Sequence, residues 1–134
     1  RDLVRSRGLG DVYKRQVYVG SPDHVRDYMW VDDHVNAYLL SIEKESAEGE
    51  VFNVSPGNPI SNIDLAKKLA NMIHFTSQIV EGSYPPGYPM RPAKLDTKYI
   101  VLDSSRIMKL GWKPSVTLDE GLSMAVDYWR SQKK

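Results

Sequence analysis

The chain has 134 residues, of which 41% are hydrophobic and 26% charged, values typical of one globular domain rather than of a disordered chain. It contains no cysteine, which excludes disulfides and thiolate metal sites, and it lacks an apolar run of the about 18 residues that a membrane span needs. Because it also has no secretory signal pattern, we expect a soluble, cytoplasmic protein that does not bind a membrane. The net charge is only +1, and residues 1–16 hold five of the 18 basic but two of the 17 acidic side chains. The remaining net charge of −2 on residues 17–134 argues against nucleic-acid binding.

Residues 1–16 follow neither a helical nor a strand period. The stretch 8–16 is similar to adapter read-through at the ends of assembled reading frames, so we expect residues 1–16 to be a non-native leader. A native basic arm is the alternative. Residues 17–134 are then the region to be interpreted as a fold.

From Val17 onward, short β-prone runs alternate with helical patterns, which predicts an α/β fold. A first helix is expected from Asp32, as N-cap, to about Lys44. It carries one apolar stripe at helical spacing, formed by Val35, Tyr38, Leu39 and Ile42. We expect this stripe to be covered by a sheet or a helix.

Two further helices have capping-box patterns at their starts, Ser61 with Asp64 and Thr117 with Glu120. A short helix is expected over residues 104–110, ended by Gly111. The predicted strands are residues 28–31, 50–54, 77–81 and 99–102, and residues 82–92 form a loop rich in Tyr, Pro and Gly. Trp112 and Trp129 are interpreted as core residues.

Four blocks occur in a fixed order along residues 17–134: Arg-Asp-Tyr-Met-Trp-Val-Asp-Asp-His-Val at 26–35, Glu-Val-Phe-Asn-Val-Ser-Pro-Gly at 50–57 followed by Ser61, Arg-Pro at 91–92, and a closing segment over 103–122. Together they resemble the extended short-chain dehydrogenase/reductase family, specifically its sugar-nucleotide epimerases and 4,6-dehydratases. Each block alone is a weak signal, and the ordered set is far more specific.

The resemblance implies a Rossmann-type fold in which an NAD-binding half precedes a smaller carboxyl-terminal substrate region. This chain resembles only the latter. It has no Gly-x-x-Gly-x-x-Gly, and none of its eight tyrosines is followed by lysine at the fourth position. We therefore expect a fragment that lacks the dinucleotide-binding half, has no catalytic or cofactor-binding residues, and is inactive alone, whereas its parent uses NAD and is a homodimer.

By resemblance, Arg26 and Arg91 bind the diphosphate of a sugar nucleotide, a role that suits the planar, permanently charged guanidinium. The alternative for each is a surface ion pair. Tyr28 lies two residues after Arg26 and is expected to contact the same ligand, with core packing as the alternative.

Asp96 is a candidate acceptor for a ribose hydroxyl. The family's usual Arg-Pro-Gly-Asp pattern is not reproduced, because Ala93 and Lys94 follow Arg91 and Pro92. That departure leaves the nucleotide's identity open and makes a plain turn residue the alternative for Asp96.

No metal site is expected, since His24, His34 and His74 have neither ligand spacing nor a neighbouring nucleophile. Asp32 and Asp33 form a carboxylate pair, which we interpret as helix-start residues rather than as an acid/base pair. The implied function is the substrate-binding part of an NAD-dependent 4,6-dehydratase or 4-epimerase. A stand-alone binding or assembly module, and a reductase or decarboxylase relative, remain as alternatives.

Overall fold

The computed structural model describes residues 16–89 and 96–132, where strands and helices alternate as the α/β prediction requires. This part of the chain has one 3-10 turn, at Glu45–Ala47, and four α-helices: α1 (Val31–Glu43), α2 (Asn62–Met72), α3 (Ser105–Lys109) and α4 (Leu118–Ser131). Its strands are short: β1 (Val17–Val19), β2 (Val25–Arg26), β3 (Ile60–Ser61), β4 (Ile79–Glu81) and β5 (Tyr99–Ile100). Residues 1–15 of the expected leader lie outside the described residues.

The strands form two small sheets. In the first, β1 runs parallel to β4, with Val17 opposite Ile79. In the second, β2 is the central strand, antiparallel to β3 and parallel to β5. Arg26 therefore lies on a strand that is paired on both sides.

Helices α2 and α4 begin where their capping patterns predict. The Ser61 hydroxyl accepts a hydrogen bond from the Asp64 N–H at 3.1 Å, and Thr117 forms the complete reciprocal box with Glu120. The predicted N-cap at Asp32 is wrong, because α1 begins at Val31 and its N-cap is Trp30. Asp32 instead lies in the first turn, where a carboxylate is stabilised by the positive end of the helix dipole.

Two predicted strands are wrong. Residues 28–31 do not form one, because β2 ends at Arg26 and Val31 already begins a helix. Residues 50–54 pair with no strand in the described part of the chain, so their β propensity has no ladder to join. The other two predicted strands are present in shortened form as β4 and β5, and the predicted short helix is α3.

The main core cluster consists of Ala37, Ile107 and Trp112, with Met29, Leu40, Phe52 and Val54 packed against it. This confirms Trp112 as a core residue. The prediction for Trp129 is wrong, since that side chain is 67% exposed on the last turns of α4.

The apolar stripe of α1 also differs from expectation. Val35, Tyr38, Leu39 and Ile42 are all exposed, Ile42 at 80%. The opposite face of the helix, with Asp33 and Ala37, is the buried one. Helix α1 therefore packs on its less hydrophobic side and leaves its stripe uncovered.

Asp33 joins α1 to the segment that leads into α4. Its carboxylate accepts hydrogen bonds from Ser115 N at 2.9 Å, from the Ser115 hydroxyl and from Val116 N at 3.1 Å, while its carbonyl accepts one from Trp112 Nε1 at 2.9 Å. Burial alone would raise the pKa of Asp33, which is 1% exposed, but the hydrogen bonds from Ser115 and Val116 outweigh it and lower the pKa. We call these four residues the Asp33 junction.

Candidate functional site

Arg26 ends the central strand of the three-stranded sheet, and its main chain is held from both sides. It lies opposite Ile60 of β3 and Ile100 of β5. The preceding residue, Val25, donates its N–H to Lys98 O at 2.8 Å. The position from which the Arg26 side chain leaves the sheet is therefore fixed.

The guanidinium of Arg26 is also fixed in orientation. Nη1 donates to Val25 O at 2.7 Å and to Lys98 O at 3.4 Å, and Nη2 donates to Asp96 Oδ1 at 3.3 Å. Within residues 16–89 and 96–132, no acceptor binds Nε. The edge of the guanidinium that carries Nε and Nη2 therefore keeps Nε–H and one Nη2–H as donors in this part of the chain.

Asp96, which is 13% exposed at its side chain, connects Arg26 to the loop between β1 and β2. Its Oδ2 accepts a hydrogen bond from the Ser21 hydroxyl at 3.0 Å. His24 Nε2 lies 3.2 Å from Asp96 O and 3.5 Å from Oδ2. One carboxylate thus contacts three polar side chains from two segments.

Tyr28 joins this group through Asn62, the first residue of α2. The Tyr28 hydroxyl donates to Asn62 Oδ1 at 3.3 Å, and Asn62 Nδ2 donates to Ser21 O at 2.9 Å. The Asn62 N–H binds His24 O at 2.9 Å. Tyr28, which is 40% exposed, and Asn62 also line an apolar cleft of about 520 Å³ between β1, β4 and α2.

Of the four predicted site residues, the structure brings Arg26 and Asp96 into direct contact and places Tyr28 in the same hydrogen-bonded group. Arg91 lies outside the described residues. Ser21, His24 and Asn62 were missed by sequence reasoning. A signal for His24 did exist, because residues 24, 26 and 28 follow the two-residue period that puts side chains on one face of a strand.

The helix starts among the described residues are unsuited to the pyrophosphate of a nicotinamide dinucleotide. Carboxylates stand in the first turns of α1, α2 and α4, where they would repel a phosphate group. At the start of the five-residue α3, the Ser105 N–H already binds Asp103 Oδ1 at 2.9 Å.

Within the described residues 16–89 and 96–132, no group of three or more acidic or histidine side chains could hold a metal ion. No helix in these residues has the length and hydropathy to cross a membrane.

The sequence profile of a family described as GDP-mannose 4,6 dehydratase matches residues 8–125 of the chain. Among curated relatives, dTDP-glucose 4,6-dehydratase 1 of Escherichia coli K12 is 28% identical over 124 residues. That alignment covers 86% of this chain and 32% of the relative.

Solved structures give the same relationship. The UDP-glucose 4-epimerase of Thermotoga maritima, solved with UDP-glucose, is 35% identical with a TM-score of 0.76, covering 89% of this chain and 36% of the epimerase. The structure of RMD from Pseudomonas aeruginosa, complexed with NADPH, is 28% identical with a TM-score of 0.73, covering 87% and 36%. The chain spans about a third of the length of the relatives it matches.

Proposed function

Because this chain belongs to the NAD-dependent sugar-nucleotide epimerase and dehydratase family of extended short-chain dehydrogenases/reductases, we propose that it is the carboxyl-terminal, substrate-binding part of such an enzyme. In this proposal its task is to bind the diphosphate of a sugar nucleotide. The enzyme of which it forms part is a 4,6-dehydratase or a 4-epimerase.

The observation that carries the proposal is the hydrogen bonding of the Arg26 guanidinium. Three acceptors hold it in one orientation and leave the Nε–H and Nη2–H edge available within the described residues. Two parallel N–H donors on a permanent cation match two oxygens of a phosphate group. An arginine that is oriented before the ligand arrives also loses less side-chain entropy on binding.

Asp96 supports this role by orienting Arg26 through Oδ1. Each carboxylate oxygen has two lone pairs, so Asp96 is proposed to accept a ribose hydroxyl as well, beside Arg26 on Oδ1 or Ser21 on Oδ2. Tyr28 is proposed to contact the ligand with its exposed ring, since its hydroxyl is bound to Asn62. Arg91 stays a prediction as the second diphosphate-binding arginine.

The cofactor is proposed to bind to another part of the parent enzyme, because acidic first turns make the described helix starts unsuitable for a pyrophosphate. The uncovered stripe of α1 is consistent with such a further part. An exposed apolar stripe at helical spacing is costly in water and is ordinarily buried against another element. The homodimeric state of the parent likewise stays a prediction.

The proposal is tested by calorimetric titration of the chain with UDP-glucose, dTDP-glucose and GDP-mannose, each beside its nucleoside and beside glucose 1-phosphate. We expect at least one sugar nucleotide to bind at one site, with the nucleoside and the sugar phosphate at least tenfold weaker because each lacks the diphosphate. NAD is expected not to bind. Equal affinity for a sugar nucleotide and its nucleoside would contradict a diphosphate site, and so would the failure of all three sugar nucleotides to bind.

A further inference from the structure

Asp27 lies between two proposed ligand-contacting residues, Arg26 and Tyr28, but its own side chain reaches a different segment. Its Oδ2 accepts hydrogen bonds from the Ser55 hydroxyl and from Gly57 N at 2.7 Å. Its Oδ1 accepts one from Asn58 N at 3.1 Å. A carboxylate that receives three donors from one turn ties the main chain at residue 27 to that turn.

The turn is built to supply those donors. It reads Ser-Pro-Gly-Asn-Pro over residues 55–59, and proline has no N–H. Gly57 and Asn58 are thus the main-chain donors available between the two prolines, and both bind Asp27. Gly57 has φ +83°, a left-handed conformation that glycine adopts without strain and that helps successive N–H groups converge on an anion.

The location of the turn explains what this contact can do. The turn leads directly into β3, which pairs with β2 over only two residues, Val25 with Ser61 and Arg26 with Ile60. A ladder this short fixes a strand weakly. The Asp27 contacts extend the connection between the two segments past the end of the ladder, so Arg26 has a fixed neighbour on each side.

We propose that Asp27 is a positioning residue of the sugar-nucleotide site, which holds the backbone between Arg26 and Tyr28 so that the Arg26 guanidinium keeps its ligand-binding orientation. The inference rests on the proposed function for its affinity readout, but not for its effect on Arg26 itself. Asp27 is not proposed to touch the ligand.

The alternative is that Asp27 serves only the stability of the fold. The turn that binds Asp27 is also hydrogen-bonded on its side remote from Arg26. There the Ser104 hydroxyl donates to Ser55 O at 2.9 Å, and both serines are buried. Removing the Ser104 hydroxyl therefore disturbs the same turn from the side remote from the site. Ser104→Ala is the matched control for stability.

The experiment compares Asp27→Asn with wild type and Ser104→Ala in the full 134-residue chain, by two readouts. The first is the NMR signal of the Arg26 Nε–H, assigned from its absence in Arg26→Lys, together with its rate of exchange with water. The second is affinity for whichever of UDP-glucose, dTDP-glucose and GDP-mannose binds wild type most tightly. We expect Asp27→Asn to shift and broaden the Arg26 signal, speed its exchange, and weaken binding about tenfold, the effect of losing one well-oriented charged contact.

The direction of the affinity change separates positioning from simple electrostatics. Asp27→Asn removes a negative charge near a diphosphate site, which by itself would strengthen anion binding. Weaker binding together with an altered Arg26 signal supports positioning, provided that Ser104→Ala leaves both unchanged. An unaltered Arg26 signal, or unchanged or tighter binding, would overturn the inference.

If Asp27→Asn fails to fold, Ser55→Ala replaces it, because that variant removes one of the three donors to Asp27 and keeps the charge. A smaller change of the same sign in both readouts is then expected, about two- to fivefold in affinity. If wild type binds none of the three sugar nucleotides, the proposed function fails, and the Arg26 signal alone still decides whether Asp27 positions the guanidinium.

Discussion

Asp33 and Asp96 each join two distant segments of the chain, but they do so in opposite surroundings. The carboxylate of Asp33 is buried, its partners are neutral donors, and no cation among the described residues contacts it. The carboxylate of Asp96 contacts Arg26, whose guanidinium retains donors of its own. The donors around Asp33 are bound by its carboxylate, whereas the guanidinium bound to Asp96 keeps N–H donors that bind no acceptor among the described residues.

The difference indicates how to separate a structural carboxylate from one that belongs to a binding site. Both residues are acidic and both accept a hydrogen bond from a serine hydroxyl, so neither residue type nor that contact distinguishes them. What differs is whether the group bound to the carboxylate keeps further N–H donors that bind no acceptor among the described residues. Stability is therefore expected to depend on the Asp33 junction, and the proposed ligand binding on the group around Arg26.

The largest expected effect is on stability at the Asp33 junction. Asp33→Asn replaces one carboxylate oxygen by an amide NH₂ group, which cannot accept a hydrogen bond from the Ser115 or Val116 N–H. The unfolding free energy should therefore fall by about 2–4 kcal/mol. Urea denaturation followed by circular dichroism measures this. Asp32→Asn is the control, because Asp32 is exposed and binds only Trp30 Nε1 within the described residues. Equal losses in the two variants would remove the distinction between the two aspartates.

The next effect is on binding. Arg26→Lys keeps the charge but loses the paired N–H edge, so sugar-nucleotide affinity should fall about tenfold, which corresponds to about 1.4 kcal/mol. Calorimetric titration measures it, with Arg130→Lys on the exposed end of α4 as control. Unchanged affinity in Arg26→Lys would show that the guanidinium geometry is not used.

A smaller effect concerns pH. The folded-state pKa of Asp33 is below its ordinary value, so its contribution to stability is fully present above about pH 4, where an unfolded aspartate is ionised, and is lost as the pH falls through the folded-state pKa. Unfolding free energies measured between pH 6 and pH 2 should therefore fall less steeply for Asp33→Asn than for wild type. Parallel curves would contradict the lowered pKa.

The smallest effect is expected on the uncovered face of α1. Ile42→Gln should change the stability of this chain by less than about 0.5 kcal/mol, because the side chain is 80% exposed. Ala37→Leu on the opposite, buried face should cost about 1–3 kcal/mol through overpacking. A loss above about 1 kcal/mol in Ile42→Gln would mean that the stripe is covered in solution, for instance by a second copy of the chain.

Sequence patterns predicted the local features of the fold well, because those features depend on residues close in sequence. The starts of α2 and α4 follow from Ser61 and Thr117 with their carboxylate partners three residues later. The α/β class likewise follows from alternating periodicity, although β1, β2 and β3 were not among the predicted strands. Features that depend on distant partners were predicted less well, since residues 50–54 have strand propensity but no strand beside them.

The face on which α1 packs could not be read from its periodicity. The stripe of Val35 and its neighbours is the most apolar side of the helix, yet Asp33 and Ala37 are buried because Trp112 and Ser115 lie against them, 79 and 82 residues away from Asp33 in sequence. The site shows the same limit. Arg26 was identified by resemblance, but its contact with Asp96, and the contact of His24 with the same aspartate, depend on the pairing of β2 with β5.

The proposed function depends most on the diphosphate being bound by the edge of Arg26 that carries Nε and Nη2. A crystal structure of the chain with its tightest-binding sugar nucleotide tests this directly. We predict phosphate oxygens about 2.7–2.9 Å from Nε and Nη2 of Arg26, with Asp96 still bound to the guanidinium. A diphosphate bound elsewhere, with that edge of Arg26 left facing solvent, would contradict the proposed role of Arg26.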